Sequence, residues 1–202
     1  MTNRISFTRR DATKAVLLTA ASAFLPTSLL AETKEEALAF IQRLVQDINA
    51  VTNGSPTDAT LARGFLRIFT RYSDIPILAR SSLGVAWRSA SNSQRTGFTN
   101  VLGTYLARKY GKKFRGFSID KVSVSETRPI KGGYIVTSFV QLENGNGYQI
   151  EWQVVKVRGR DKMVNLYIEG LSLLAAERNE IADMLDARKG DLDLLIQDMR
   201  EI

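Results

Sequence analysis

The chain has 202 residues, with 28 lysines and arginines against 21 aspartates and glutamates, a net charge of +7, and neither histidine nor cysteine. Disulfides, thiolate chemistry, histidine-ligated metals and the Ser-His-Asp and Cys-His forms of nucleophilic catalysis are therefore excluded. An enzyme built on this sequence would have to rely on carboxylates, lysines, tyrosines or serines.

The chain opens on a basic and then apolar stretch, SFTRRDATKAVLLTAASAFLPTSLLAE, at residues 6–32. Residues 15–30 carry no charge, but Pro26 and the short length argue against a span, which needs about 20 apolar residues. The layout is that of an export signal. Arg4, Arg9, Arg10 and Lys14 form a basic region, residues 15–25 an apolar one, and Ser28-Leu29-Leu30-Ala31 a cleavage region. Arg9-Arg10, followed by Lys14, resembles the twin-arginine export motif. Reading residues 1–31 as a cleaved signal leaves a single domain at 32–202. The signal holds four of the basic residues and one of the acidic ones, so the remaining 171 residues carry +4. That charge suits an anionic membrane surface and is too diffuse for nucleic acid.

Residues 33–51 place Ala37, Phe40, Ile41, Leu44, Val45 and Ile48 at helical spacing, with Thr33 and Glu36 as a capping box. Asn53-Gly54 breaks this helix, Ser55-Pro56 opens a second running toward Tyr72, and Asp74 with Pro76 starts a third that reaches Gly84. Ser91 with Gln94 makes another capping box. It opens a helix that repeats Phe98, Val101, Leu102, Tyr105 and Leu106 on one face until Gly111. Four helices thus precede any strand.

After GKKFRG at 111–116 the period changes to two. Tyr134, Val136, Val140 and Leu142 form one alternating run, and Tyr148, Ile150, Trp152 and Val154 another. ENGNG and RGRD mark hairpins. With 118–126 and 163–168 this makes four antiparallel strands in a meander. Helix returns over 172–189 and again from 191, with Gly190 between. The fold class is α+β: a curved four-stranded antiparallel sheet packed by N-terminal and C-terminal helices. The interior-facing set is Val122, Val124, Val136, Val140, Ile150, Trp152, Leu166 and Ile168 on strands, and Phe98, Leu102 and Tyr105 on a helix. By periodicity alone they describe a filled core. Lys112, Lys113 and Arg115 form an exposed basic loop, read either as solvated surface or as a docking point.

Two stretches carry a resemblance. The first, DIPILARSSLGVAWRSASNSQRTGFTNVLGTYLARKYG at 74–111, contains Ala79-Arg80, Leu83-Gly84, Trp87-Arg88, Ala90-Ser91, Gln94, Phe98, Tyr105-Leu106 and Tyr110. The second, YIEGLSLLAAERNEIADML at 167–185, contains Glu169-Gly170, Leu171-Ser172-Leu173 and Arg178. Gly190-Asp191-Leu192 and Leu195-Ile196 follow it. Together they resemble the MlaC, or toluene-tolerance, family of periplasmic phospholipid carriers. These serve an ABC transport system that maintains outer-membrane lipid asymmetry. Asp161, Asn165 and Glu177 depart from the family's usual residues.

The resemblance implies no cofactor and no catalysis, and turns the interior set into the wall of an apolar lipid cavity. It implies as partners a phospholipid, an inner-membrane ABC transporter with its membrane-anchored substrate-binding subunit, and an outer-membrane lipoprotein complex. Alternatives are a hopanoid-associated or other envelope lipid carrier, or an envelope adaptor without lipid; an enzyme ranks last among them. Trp87-Arg88 reads as a junction in which Trp87 packs short helices and Arg88 pairs with Asp74 or Glu169, ahead of a head-group role.

Overall fold

The computed structural model describes residues 33–54, 56–114, 119–142 and 144–201. The expected export signal at 1–31 lies outside the described residues, as does Arg115. In chain order come α1 (Lys34–Thr52), α2 (Asp58–Tyr72), α3 (Ile75–Leu83), α4 (Ala86–Ser89) and α5 (Asn92–Lys113). The strands β1 (Ile119–Ile130), β2 (Gly133–Leu142), β3 (Gly147–Val157), β4 (Arg160–Ile168) and β5 (Leu171–Ser172) follow, and then α6 (Leu173–Asp186) and α7 (Leu192–Glu201).

Side-chain caps fix the helix starts. Thr33 accepts from the Glu36 amide at 3.1 Å while the Glu36 carboxylate accepts from the Thr33 amide at 3.0 Å, and Ser91 and Gln94 repeat the exchange at 3.2 and 3.0 Å. Asp74 caps α3 by accepting from the Ile77 amide at 3.0 Å. Each cap satisfies amides that the first helical turn leaves without a partner.

The strands pair as β1-β2-β3-β4-β5, all antiparallel and each joined to the next in sequence. Register shifts interrupt β1 at Val124/Glu126 and the β3–β4 ladder at Gln153/Val154. Such bulges bend a strand and change which side chains face inward. Across the second shift Leu166 pairs with Trp152 and Met163 with Val154. Inward positions on β4 are therefore three apart. α1 packs on β1 and β2, α6 on β4, α2 lies along α5, and α7 also packs on α5. Phe98, Leu61, Leu195, Met199 and Val136 are fully enclosed between these layers.

The sheet has five strands, not the four expected. The Glu169-Gly170 turn takes φ +49° and +76°, a pair of positive values that makes a tight hairpin, so Leu171 and Ser172 run back along β4 before Ser172 caps α6. Five helices precede the sheet because residues 86–89 add a single turn. α2 begins at Asp58 behind a Thr57 cap, not at Ser55-Pro56. Gly111 does not end α5, which continues to Lys113. It sits where α5 crosses α2: a Cβ there would lie 3.2 Å from the Ala62 amide nitrogen. It is thus a point of close approach within the helix.

Candidate functional site

Helix and sheet do not close completely on each other. Among the described residues they leave a pocket of about 490 Å³, within the 300–1,000 Å³ typical of ligand sites. Its sheet wall is Val140, Leu142, Ile150, Trp152, Leu166 and Ile168. Leu44 and Ile48 of α1 and Phe65, Ile68 and Phe69 of α2 form a second wall. α5 contributes Leu102 and Leu106, and α6 contributes Leu173 and Leu174. No described residue of β4 is buried, although Met163, Leu166 and Ile168 belong to the apolar wall. Met163 and Leu166 also pack, half-buried, against the core, and all three side chains border the pocket.

Of the eleven interior residues singled out in the sequence, the structure brings Leu102, Val140, Ile150, Trp152, Leu166 and Ile168 together around this pocket. Phe98 and Val136 lie in the filled core instead, each 0% exposed. Val122 and Val124 pack, half-buried, against that core. Tyr105 is buried outside the pocket wall, but its hydroxyl donates to Glu180, which does line it, at 2.8 Å. Lys112 and Lys113 are exposed at the end of α5, and Lys113 also lines the pocket. The α2 wall was not singled out, although Leu61, Phe65, Ile68 and Tyr72 repeat at helical spacing and gave the signal.

Trp152 is held by a buried bond in which its indole N–H donates to the Ser138 hydroxyl at 2.8 Å. Asn165 ties β4 to the start of α6: its carbonyl accepts from the Leu166 amide at 2.8 Å and the Leu174 amide at 3.2 Å. The Ser73 hydroxyl lines the pocket and has no hydrogen-bond partner among the described residues.

One rim of the pocket is polar. Lys109 and Lys113 on α5 face Glu177 and Glu180 on α6. Lys109 donates to Glu177 at 2.7 Å and also to Glu180. The Tyr110 hydroxyl donates to the same Glu177 oxygen, Oε1. Burial first, then the bond to Glu177, pushes the Tyr110 phenol well above its ordinary range, and burial and Glu180 do the same to Tyr105. Both stay protonated donors at neutral pH. Burial alone would raise the Glu180 carboxyl, but bonds from Lys109 and Tyr105 and the lysine charges outweigh it and hold it below its usual range. Glu177 is 6% exposed, and its second oxygen, Oε2, has no partner among the described residues. Among the described residues no cluster of three or more acidic side chains could hold a metal.

Trp87 packs at the helix junction, with the Arg95 guanidinium 5.7 Å from its ring centroid and the Arg95 Nε–H donating to its carbonyl at 2.9 Å. Arg88 is exposed and does not pair with Asp74 or Glu169, because Asp74 caps α3 and Glu169 accepts from the Gln149 amide. Arg178 of α6 lies over Gly84, which ends α3 with φ +60°. A Cβ there would be 2.9 Å from the Arg178 Nε. The two sequence blocks that carry the resemblance therefore meet at this contact.

No curated protein matches the chain. Among solved structures it is similar to the phospholipid-binding protein of Ralstonia solanacearum, determined in complex with a phospholipid. The TM-score is 0.64 at 20% identity, over 81% of this chain and 94% of that one. At this identity the likeness shows a shared fold. The family description "MlaC protein" matches residues 39–201, which span every helix and strand of the structure apart from the first turn of α1. The chain belongs to the MlaC family.

Proposed function

We propose that the protein is a periplasmic phospholipid carrier that shelters acyl chain in the pocket and moves lipid between inner-membrane and outer-membrane complexes, sustaining outer-membrane lipid asymmetry. The observation that carries this reading is the apolar chamber itself, whose wall residues Ile150, Leu166 and Ile168 are only half-buried although they lie on the inward face of the sheet. Membership of the MlaC family and the phospholipid bound by the Ralstonia protein support it. No helix among the described residues is long and apolar enough to cross a membrane, in keeping with a carrier that leaves the bilayer. The ABC transporter and outer-membrane lipoprotein partners follow from the family alone, and Lys112 and Lys113 remain candidates for contact with them.

The energetics suit carriage. An acyl chain brings about sixteen methylenes to an apolar wall of this kind. At about 0.8 kcal/mol each, their removal from water is worth about 13 kcal/mol, below the practical ceiling on affinity. A lipid leaving a bilayer, however, exchanges one apolar medium for another. Loading and unloading at a membrane are therefore close to balanced, while escape into water is strongly opposed. A catalytic role has no comparable support: Lys109 and both carboxylates of the rim are engaged with one another.

Organic extraction of the purified protein should yield phospholipid at about one molecule per chain, and the protein should speed exchange of a fluorescent phospholipid between donor and acceptor vesicles. Recovery of no lipid together with no acceleration of exchange would overturn the proposal.

A further inference from the structure

α6 walls the pocket with Leu173, Leu174, Glu177 and Glu180 but buries little of itself. Of its fourteen residues only Glu177 and Ile181 are buried, whereas α5 buries nine. Asn165 holds the first turn of α6 to β4, and the helix packs on α3. Its hold on α5 runs through polar side chains. Tyr105 donates to Glu180 at 2.8 Å, Lys109 to Glu177 at 2.7 Å and also to Glu180, and Tyr110 to Glu177. The Tyr105 hydroxyl also lies 3.9 Å from the Met184 sulfur. Glu180 is exposed, so water reaches this seam. Elements with few buried apolar contacts open at low cost. A polar bond parted beside water is exchanged for one to water at small net cost, whereas parted apolar surface must be rehydrated in full.

We propose that this α5–α6 clasp is a releasable strap that sets how fast lipid enters and leaves the pocket; the inference rests on phospholipid carriage. The bonds from Tyr105, Lys109 and Tyr110 to α6 part to widen the pocket while a lipid passes and re-form afterwards, with Asn165 keeping the start of α6 on β4 throughout. None of these bonds needs a lipid partner, so the strap closes over the empty and the loaded pocket alike. It therefore governs the rate of exchange and not the amount of lipid bound. Tyr105 separates the two effects, because its hydroxyl crosses to Glu180 while the residue itself stands outside the pocket wall.

The test loads the delipidated full chain with deuterated dioleoyl phosphatidylcholine and follows its replacement by the unlabelled lipid from vesicles of dioleoyl phosphatidylcholine. Mass spectrometry gives the exchange rate and the total lipid per chain together. Tyr105→Phe should speed exchange about tenfold, the worth of one hydrogen bond to a charged group, and leave the total bound unchanged. Lys109→Gln, which parts two bonds, should speed it at least as much; if that variant does not fold, Tyr105→Phe decides alone. Amide hydrogen exchange over residues 173–186 should rise in step with lipid exchange in Tyr105→Phe. An unaltered lipid exchange rate in Tyr105→Phe, a faster rate accompanied by an equal loss of bound lipid, or a faster rate without faster amide exchange in α6 overturns the strap and leaves carriage standing. Failure of the unaltered protein to take up any lipid overturns carriage itself.

Discussion

Replacing Leu166 by alanine distinguishes a chamber wall from a packed core. Leu166 lies on the inward face of β4 opposite Trp152 but is only half-buried, because it borders the 490 Å³ pocket. Phe98, also an inward apolar residue by period, is 0% exposed and does not line the pocket. Emptying a packed site costs the transfer of the lost atoms plus a cavity term, about 3–5 kcal/mol for Phe→Ala. Phe98→Ala should therefore destabilise the delipidated protein by that amount. Leu166→Ala creates no new enclosed void and should cost less than about 1.5 kcal/mol. The three carbons it removes belong to a side chain that lines the pocket, so under the proposed carriage lipid retention should weaken by up to about 2 kcal/mol, roughly thirtyfold. Urea denaturation of both delipidated variants, with lipid off-rates measured into acceptor vesicles, supplies the two numbers. Equal destabilisation by the two substitutions would show that Leu166 sits in an ordinary core and would refute the reasoning.

Ser138→Ala leaves the buried Trp152 indole N–H without its 2.8 Å acceptor and should cost about 1–3 kcal/mol by urea melt; a change under about 0.5 kcal/mol would contradict that bond. Gly111→Ala gains about 1 kcal/mol of helix propensity but places a Cβ 3.2 Å from the Ala62 backbone nitrogen, which cannot give way as a side chain could. The predicted outcome is a net loss of thermal stability, and a gain would show that α2 and α5 can separate. Because the Glu180 carboxyl is held below its ordinary 4.5, its stabilisation is fully present above that value and is lost as the pH falls through the lowered one. Glu180→Gln should thus flatten the acid limb of the stability profile, and parallel limbs would refute the assigned pairing with Lys109 and Tyr105.

The helices were legible wherever local chemistry decides. The Thr33/Glu36 and Ser91/Gln94 boxes, Asp74 before Pro76 and Gly84 after Leu83 each mark a boundary through interactions within a few residues. Gly111 misled because a glycine permitting close helix approach has the same sequence signature as one ending a helix. Only its distance to Ala62, across the α2–α5 contact, separates the two. The fifth strand escaped because two residues are too few to establish alternation.

The pocket was legible in part for a related reason. Period two put Ile150, Trp152, Leu166 and Ile168 on the inward face, but it cannot say whether an inward residue meets another side chain or a void. Phe98 and Leu166 look alike on that criterion. The polar rim was hidden more deeply. Lys109 and Glu177 are separated by the whole sheet in sequence and are joined only when α6 returns to lie beside α5, so no local pattern links them.

Native mass spectrometry of the purified protein tests the central claim most directly. It should show a mass excess equal to one phospholipid on most molecules, and Ile150→Glu, which places an unpaired carboxylate on the pocket wall, should abolish the excess while the variant stays folded by circular dichroism. A bare chain mass for the unaltered protein, or an equal phospholipid excess on the folded variant, would contradict the assignment of this pocket as the lipid chamber.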